Sequence, residues 1–128
     1  MIWSKWMPGP AVMATGKLLV SFTDFKVNRF LDLPQAALAG FDLRRGWADM
    51  DGAVGMWLWF MPTQKRCGSL TVWTDEVSLR QFVRSPEHMV IVKAYRNRGS
   101  MNSSTWEVDS RTRRLTIRSD ALQHLQPA

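Results

Sequence analysis

The segment AVGMWLWFMP, residues 53–62, contains no charged or polar side chain. Alternate residues of a β-strand point to opposite faces, so the segment divides into two sets. One set consists of larger apolar side chains: Val54, Met56, Leu58 and Phe60. The other set begins with two small residues and continues with two indoles: Ala53, Gly55, Trp57, Trp59 and Met61. Because both sets are apolar, the segment predicts a strand that is covered on both faces.

Strand signals occur on both sides of this segment. Residues 17–25 (KLLVSFTDF) carry apolar side chains at alternate positions from Leu18 onward and predict a strand. A turn at TQKRCG leads into residues 69–74 (SLTVWT), and this short gap predicts an antiparallel hairpin with the two-faced segment. Residues 100–108 (SMNSSTWEV) predict a last strand.

Helix signals lie between these strands. Asp32 fits an N-cap position and Pro34 follows in the first turn, which predicts a first helix. After the hairpin, Thr74 or Asp75 can cap a second helix. This helix breaks and restarts at Ser85 and Pro86, which fit the N-cap and N1 positions of a new helical segment.

The resulting order, β-α-β-β-α-β, predicts a ferredoxin-like α+β sandwich with an antiparallel sheet. We expect an N-terminal arm in residues 1–16, the sandwich domain in residues 17–108 and a C-terminal extension in residues 109–128. The extension predicts an exposed strand or turn, followed by a short helix that Ser119 or Asp120 caps.

The helices of such a sandwich cover only one face of the sheet. The other apolar face, which carries Trp57 and Trp59, needs a second cover. The sheet of a second copy is the simplest cover, and it predicts a homodimer. The N-terminal arm, with Trp3 and Trp6, is the competing cover.

Composition restricts the class of protein. The 128 residues, 45% hydrophobic and 22% charged, fit one globular domain with a core of its own. The single cysteine, Cys67, excludes an intramolecular disulfide, and two distant histidines without an acidic cluster do not predict a metal site. We find no signal peptide, membrane-length apolar run, P-loop or dinucleotide motif. We therefore predict a cytoplasmic protein without cofactor or membrane contact.

The net charge of +6 raises the alternative of RNA binding. Its basic residues are scattered apart from a group of four arginines near the C-terminus: Arg111, Arg113, Arg114 and Arg118. RNA-binding sandwiches expose aromatic rings on the open face of the sheet, as Trp57 and Trp59 could. The two-faced strand lacks interleaved lysine and arginine, so burial against another surface explains its indoles better.

Three motifs resemble those of a known superfamily. The hairpin segments GMWLWFMP and GSLTVW and the helix segment FVRSPEHM are similar to motifs of the dimeric α+β barrel proteins. That superfamily includes antibiotic-biosynthesis-type monooxygenases, haem-degrading monooxygenases, stress-responsive barrel proteins and plant polyketide cyclases. The resemblance covers about residues 17–108. It implies two sheets that face each other in a dimer and a pocket between the sheet and the helices of each subunit.

The resemblance also implies a site. Members similar to the cyclases use a histidine at a P-x-H helix start as general base, and His88 in SPEH matches this residue. They carry a tyrosine six residues earlier, where this chain has Phe82 and therefore no hydroxyl. The haem-degrading members have a tryptophan and a histidine near the positions of Phe82 and Ile91, so haem ligation in their manner is not implied.

The residues themselves support a site near His88. As the third residue of its helix, His88 lies at the positive end, which favours a neutral imidazole that can accept a proton. A structural histidine, hydrogen-bonded to Ser85 or Glu87, is the alternative. Aromatic side chains that could contact a flat substrate, or else pack in the core or a dimer interface, are Phe82, Trp73, Tyr95, Trp57, Trp59 and Trp106.

Two functions follow from these features. The first is a cofactor-independent enzyme, similar to the monooxygenases or cyclases, that acts on a hydrophobic aromatic or polyketide-like molecule. The second is a non-catalytic binder of small molecules on the same scaffold, which the missing hydroxyl at Phe82 favours.

Overall fold

A six-stranded antiparallel sheet forms the centre of the computed structural model, which describes residues 1–125. Its strands are β1 (Ile2–Trp3), β2 (Met7–Pro8), β3 (Lys17–Val27), β4 (Ala53–Met61), β5 (Arg66–Trp73) and β6 (Gly99–Asp109). They lie in the order β1-β4-β5-β3-β6, and β2 also pairs with β4. The predicted hairpin is formed by β4 and β5, and β6 pairs with β3 along its whole length.

Helices lie on both faces of this sheet: α1 (Leu33–Arg44), α2 (Glu76–Val83), α3 (Pro86–Tyr95) and α4 (Arg114–Ala121). The order β3-α1-β4-β5-α2-α3-β6 confirms the predicted ferredoxin-like α+β fold, including the broken second helix. Within residues 1–125, every helix is too short or too polar to cross a membrane.

Two of the predicted helix caps are confirmed. The Asp75 carboxylate accepts a hydrogen bond of 2.8 Å from the backbone N–H of Ser78 at the start of α2. The Ser85 hydroxyl accepts one of 3.3 Å from the backbone N–H of His88 at the start of α3. Each cap satisfies an N–H that has no partner within the helix, so the break at Ser85 is stabilised locally.

Two helix starts differ from the sequence prediction. Asp32 precedes α1, but a 3-10 turn runs directly into that helix, so the carboxylate makes no capping hydrogen bond and lies 3.8 Å from the Arg98 guanidinium. The C-terminal helix α4 begins well before the predicted cap at Ser119. Its Ile117 and Ala121 are buried against the sheet, and this packing outweighs the local capping signal.

A β-bulge changes the faces of the two-faced strand at its start. The pairing of β4 with β5 shifts register between Ala53 and Gly55. Consequently Ala53 packs on the same side as Met56, and Val54 packs on the side of Trp57, the reverse of strict alternation. From Met56 onward, the side chains alternate between the two faces as predicted.

The two faces of the sheet have different covers. The helix face carries Met56, Leu58 and Trp73 and is covered by α1, α2 and α3. The arm face carries Val20, Trp57 and Leu70 and is covered by the N-terminal residues and α4. We use these two names below.

The N-terminal arm and α4 are joined through indole and guanidinium groups. Trp6 and Trp3 pack on Trp57, with ring centroids 4.6 and 6.1 Å away. The Arg118 guanidinium lies 4.6 Å from the Trp3 ring and 5.7 Å from the Trp57 ring, and that of Arg114 lies 5.2 Å from the Trp6 ring. A Cβ on Gly55 of β4 would overlap the Trp6 ring, so only glycine admits the arm here.

This arrangement corrects the prediction that a partner's sheet covers the second face. The side chains of Trp57 and Trp59 are buried within a single chain, because the arm and α4 cover them. The competing cover named from the sequence is therefore the observed one. The RNA alternative loses its exposed indoles for the same reason, and Arg114 and Arg118 of the arginine-rich segment contact tryptophan rings.

Candidate active site

A cavity of about 580 Å³ lies between the helix face and the helices α1, α2 and α3. This volume falls within the range of small-molecule sites, about 300–1,000 Å³. Strands β3 to β6 form its floor, and the helices form its walls. Most of the lining is apolar, and none of the lining residues identified within residues 1–125 is an aspartate or glutamate.

His88 lines this cavity near the start of α3. Its ring contacts that of Phe82, with 5.1 Å between centroids. Burial lowers the pKa of His88 below its ordinary value of 6.5, and a hydrogen bond with the Val83 backbone opposes the shift. The imidazole is therefore neutral at pH 7, as predicted, with burial as the main cause of the lowered pKa.

The capping hydrogen bond at His88 does not involve its ring. The Ser85 hydroxyl accepts the backbone N–H of His88, not a ring N–H. The ring atom Nδ1 is buried and meets no hydrogen-bond partner at bonding geometry among residues 1–125. A buried nitrogen without such a partner costs free energy unless a ligand or water satisfies it.

Two of the predicted aromatic residues lie at the cavity and a third lies behind it. Phe82 and Tyr95 line the cavity together with His88. Trp73 is fully buried, and its ring packs on Phe82 at 5.3 Å and on Trp47 at 5.0 Å. Trp73 therefore packs against two residues that line the cavity, Phe82 and Trp47, and lies outside the lining itself.

The other three predicted tryptophans lie on the arm face. Trp57 packs against the N-terminal arm, and Trp59 stacks on Phe22 at 5.4 Å. Trp106 stacks on His124 at 4.3 Å with nearly parallel rings. Since alternate residues of a strand face opposite sides, these indoles and the cavity are separated by the sheet.

Six hydroxyl side chains, which the sequence analysis did not bring together, form the floor of the cavity. We call them the hydroxyl floor: Ser21, Thr23, Ser69, Thr71, Ser103 and Thr105. Each of three adjacent strands contributes one Ser-x-Thr triplet, with the middle residue facing away. The signal that could have found them is this triplet, which occurs once in β3, once in β5 and once in β6.

One member of the hydroxyl floor is fixed by its neighbours. The Trp73 indole N–H donates a hydrogen bond of 2.9 Å to Oγ1 of Thr71. Thr71 Oγ1 in turn lies 3.4 Å from the Ser21 carbonyl oxygen, to which it donates. Trp73, which lies outside the cavity lining, therefore positions the hydroxyl of Thr71 at one end of the floor.

Other polar groups at the cavity were not predicted from the sequence. Arg44 and Arg96 line it. Cys67 also lines it, and burial, with the nearby Asp24 charge, raises the pKa of its thiol to about 11. This thiol stays protonated and is a poor nucleophile at pH 7. Within residues 1–125, no three His, Cys, Asp or Glu side chains group closely enough to hold a metal ion.

Comparison with known proteins identifies the fold. No family model and no curated protein matches the chain. Solved structures do. SnoaB from Streptomyces nogalater, described as a cofactor-independent oxygenase, matches 76% of this chain and 93% of its own, with 16% identity and a TM-score of 0.59. The fold is that of the antibiotic-biosynthesis-monooxygenase-like proteins.

Two further structures of this kind are similar over nearly the same part of the chain. A candidate antibiotic-biosynthesis monooxygenase from Caulobacter crescentus matches 74% of this chain and 90% of its own, with 14% identity and a TM-score of 0.59. A Bacteroides thetaiotaomicron protein of unknown function, described as a possible oxidoreductase, matches 74% of this chain and all of its own, with 14% identity and a TM-score of 0.62. The fold that the sequence motifs implied is thus confirmed.

Proposed function

We propose that this protein is a cofactor-independent monooxygenase that binds a hydrophobic aromatic molecule in the cavity, with His88 as general base. The observation that carries the proposal is a neutral imidazole in a mostly apolar cavity of ligand size. The likeness to SnoaB, described as a cofactor-independent oxygenase, supports the reaction class.

The reaction suits substrates that form a stabilised anion. His88 takes a proton from an acidic C–H or O–H of the bound ring, and the electron-rich anion then reacts with dioxygen. For anthrone, the ring methylene loses two hydrogens and gains one oxygen, so that one dioxygen yields one anthraquinone and one water. Arg44 and Arg96 at the cavity favour the anion over the neutral substrate.

The test is oxygen uptake and quinone formation with anthrone as probe. His88→Ala should lower the rate by about 100-fold or more, in the range for loss of a general base. His124→Ala is the matched control, because His124 stacks on Trp106 on the opposite face of the sheet. An unchanged rate in His88→Ala, with intact fold by circular dichroism, would refute the assignment of His88.

A non-catalytic binder of aromatic molecules is the second candidate. It is favoured by Phe82, which packs against His88 and supplies no hydroxyl for proton transfer. Calorimetric binding of anthrone without quinone above the uncatalysed background would establish this function instead.

We also propose a homodimer in the reducing cytoplasm, although not through the arm face. Within residues 1–125, strand β6 forms an edge of the sheet beside β3, and it is largely exposed over its eleven residues. An exposed edge strand is a ready site for pairing with another chain. Native mass spectrometry should show twice the mass of 14.7 kDa, and a species of single mass at micromolar concentration would refute the dimer.

A further inference from the structure

The hydroxyl floor is regular in two directions. Across the sheet, Ser21 lies directly opposite Thr71 on one side and Thr105 on the other. Two residues along, Thr23 lies opposite Ser69 and Ser103. The six hydroxyls therefore form two parallel rows of three.

The spacing within a row matches one pattern of oxygen atoms on an aromatic ring. Cβ atoms of directly opposite residues lie about 4.5–5.5 Å apart, and the two oxygens of a meta-substituted benzene ring lie about 4.8 Å apart. Both meta oxygens also point toward the same edge of the ring. Ortho oxygens are too close together to meet two hydroxyls, and para oxygens point in opposite directions.

The surroundings make this match selective. Ser21 is only 8% exposed and lines the cavity. The Thr71 hydroxyl is held in place by the Trp73 indole and the Ser21 carbonyl. The wall opposite the floor is mainly apolar, with residues such as Leu43, Ile91 and Val92. A ligand oxygen that met this apolar part of the wall would be buried without a partner, which costs about 1–3 kcal/mol.

We propose that the hydroxyl floor is a specificity element that selects aromatic ligands carrying two oxygen atoms meta to each other. The inference rests on the proposed function, because it requires an aromatic ligand in the cavity. It assigns a role to five hydroxyl residues that no catalytic step uses, namely Ser21, Thr23, Ser69, Ser103 and Thr105. Thr71, held by Trp73, completes one row.

The first test compares isomers of one ring system by calorimetry under nitrogen. The probes are 1,3-dihydroxynaphthalene, its 1,4 and 2,3 isomers, and naphthalene. The 1,3 isomer should bind at least about tenfold more tightly than the other diols, as expected for one to two additional net hydrogen bonds. Equal binding of the three diols would overturn the inference and leave the proposed function standing.

The second test removes single hydroxyls from the floor. Ser103→Ala and the shape-conserving Thr23→Val should each reduce the preference for the 1,3 isomer by about threefold to tenfold. Ser104→Ala is the matched control, since Ser104 neighbours Ser103 and points to the other face of β6. Ser103 is exposed, so its variant should fold even if Thr23→Val does not. A preference that survives Ser103→Ala and any folded Thr23→Val would overturn the inference.

The two proposals can fail separately. Anthrone turnover that depends on His88, together with no preference among the diols, would refute only the specificity element. Failure of naphthalene and all three diols to bind would refute the specificity element and the aromatic-binding cavity together.

Discussion

The two faces of the same sheet differ in how completely they are packed. On the arm face, large rings such as Trp57 and Trp59 fill the space up to the N-terminal arm and α4. On the helix face, the neighbouring strands β5, β3 and β6 present small hydroxyl side chains, and a cavity of about 580 Å³ remains beneath the helices. The comparison teaches that the many indoles of this chain mainly hold the fold together, whereas its inconspicuous serines and threonines shape the candidate site.

The largest effect on stability should come from breaking the arm face. Trp59 is fully buried, stacks on Phe22, and donates its indole N–H to the Thr23 carbonyl oxygen at 3.2 Å. Trp59→Ala should lower the free energy of unfolding by about 3–5 kcal/mol, the usual cost of such a cavity. Urea denaturation followed by circular dichroism measures the change.

A matched substitution on the helix face should cost much less. Ser69 is half-buried and points into the cavity, so Ser69→Ala should change the free energy of unfolding by less than about 1 kcal/mol. A loss comparable with that of Trp59→Ala would mean that the two faces are packed alike, against the comparison above.

A smaller effect should follow from loosening the arm. Arg118→Gln removes the guanidinium that lies over Trp3 and Trp57 and should lower the free energy of unfolding by about 1 kcal/mol. Arg113→Gln makes the same change of charge at an exposed position beside α4 and should have an effect within about 0.5 kcal/mol. Equal effects of the two variants would exclude a specific role for the ring contacts.

The smallest effect concerns pH and the helix face. Burial lowers the pKa of folded His88 below 6.5, so the unfolded chain binds this proton more readily. Stability should therefore fall as the pH drops through 6.5 toward the folded pKa, and it should be independent of this group above that range. Urea titrations of the wild type and His88→Gln should diverge as the pH is lowered. Parallel curves would mean that the folded and unfolded pKa values of His88 are the same.

The site was only partly predictable. His88 could be placed because its surroundings are local: Ser85 and Pro86 fix the helix start, and one turn of helix presents the ring. Tyr95 lies two turns further along the same helix. The indoles were harder, since alternation divides a strand into two sets but does not say which set faces a cavity. The bulge at Ala53 also escaped prediction, because it depends on how β4 pairs with β5.

The order of the elements, the break at Ser85 and the presence of a strand that is apolar on both faces were all predictable from the sequence. These features rest on local signals, namely alternation, capping residues and proline. What covers each face, and which hydroxyls meet, depends on tertiary packing. Ser21, Thr71 and Thr105 lie far apart in the chain, and they become neighbours only through the pairing register of β3 with β5 and β6. The arm face is filled from both ends of the described chain, because apolar area is buried wherever a complementary surface can reach it.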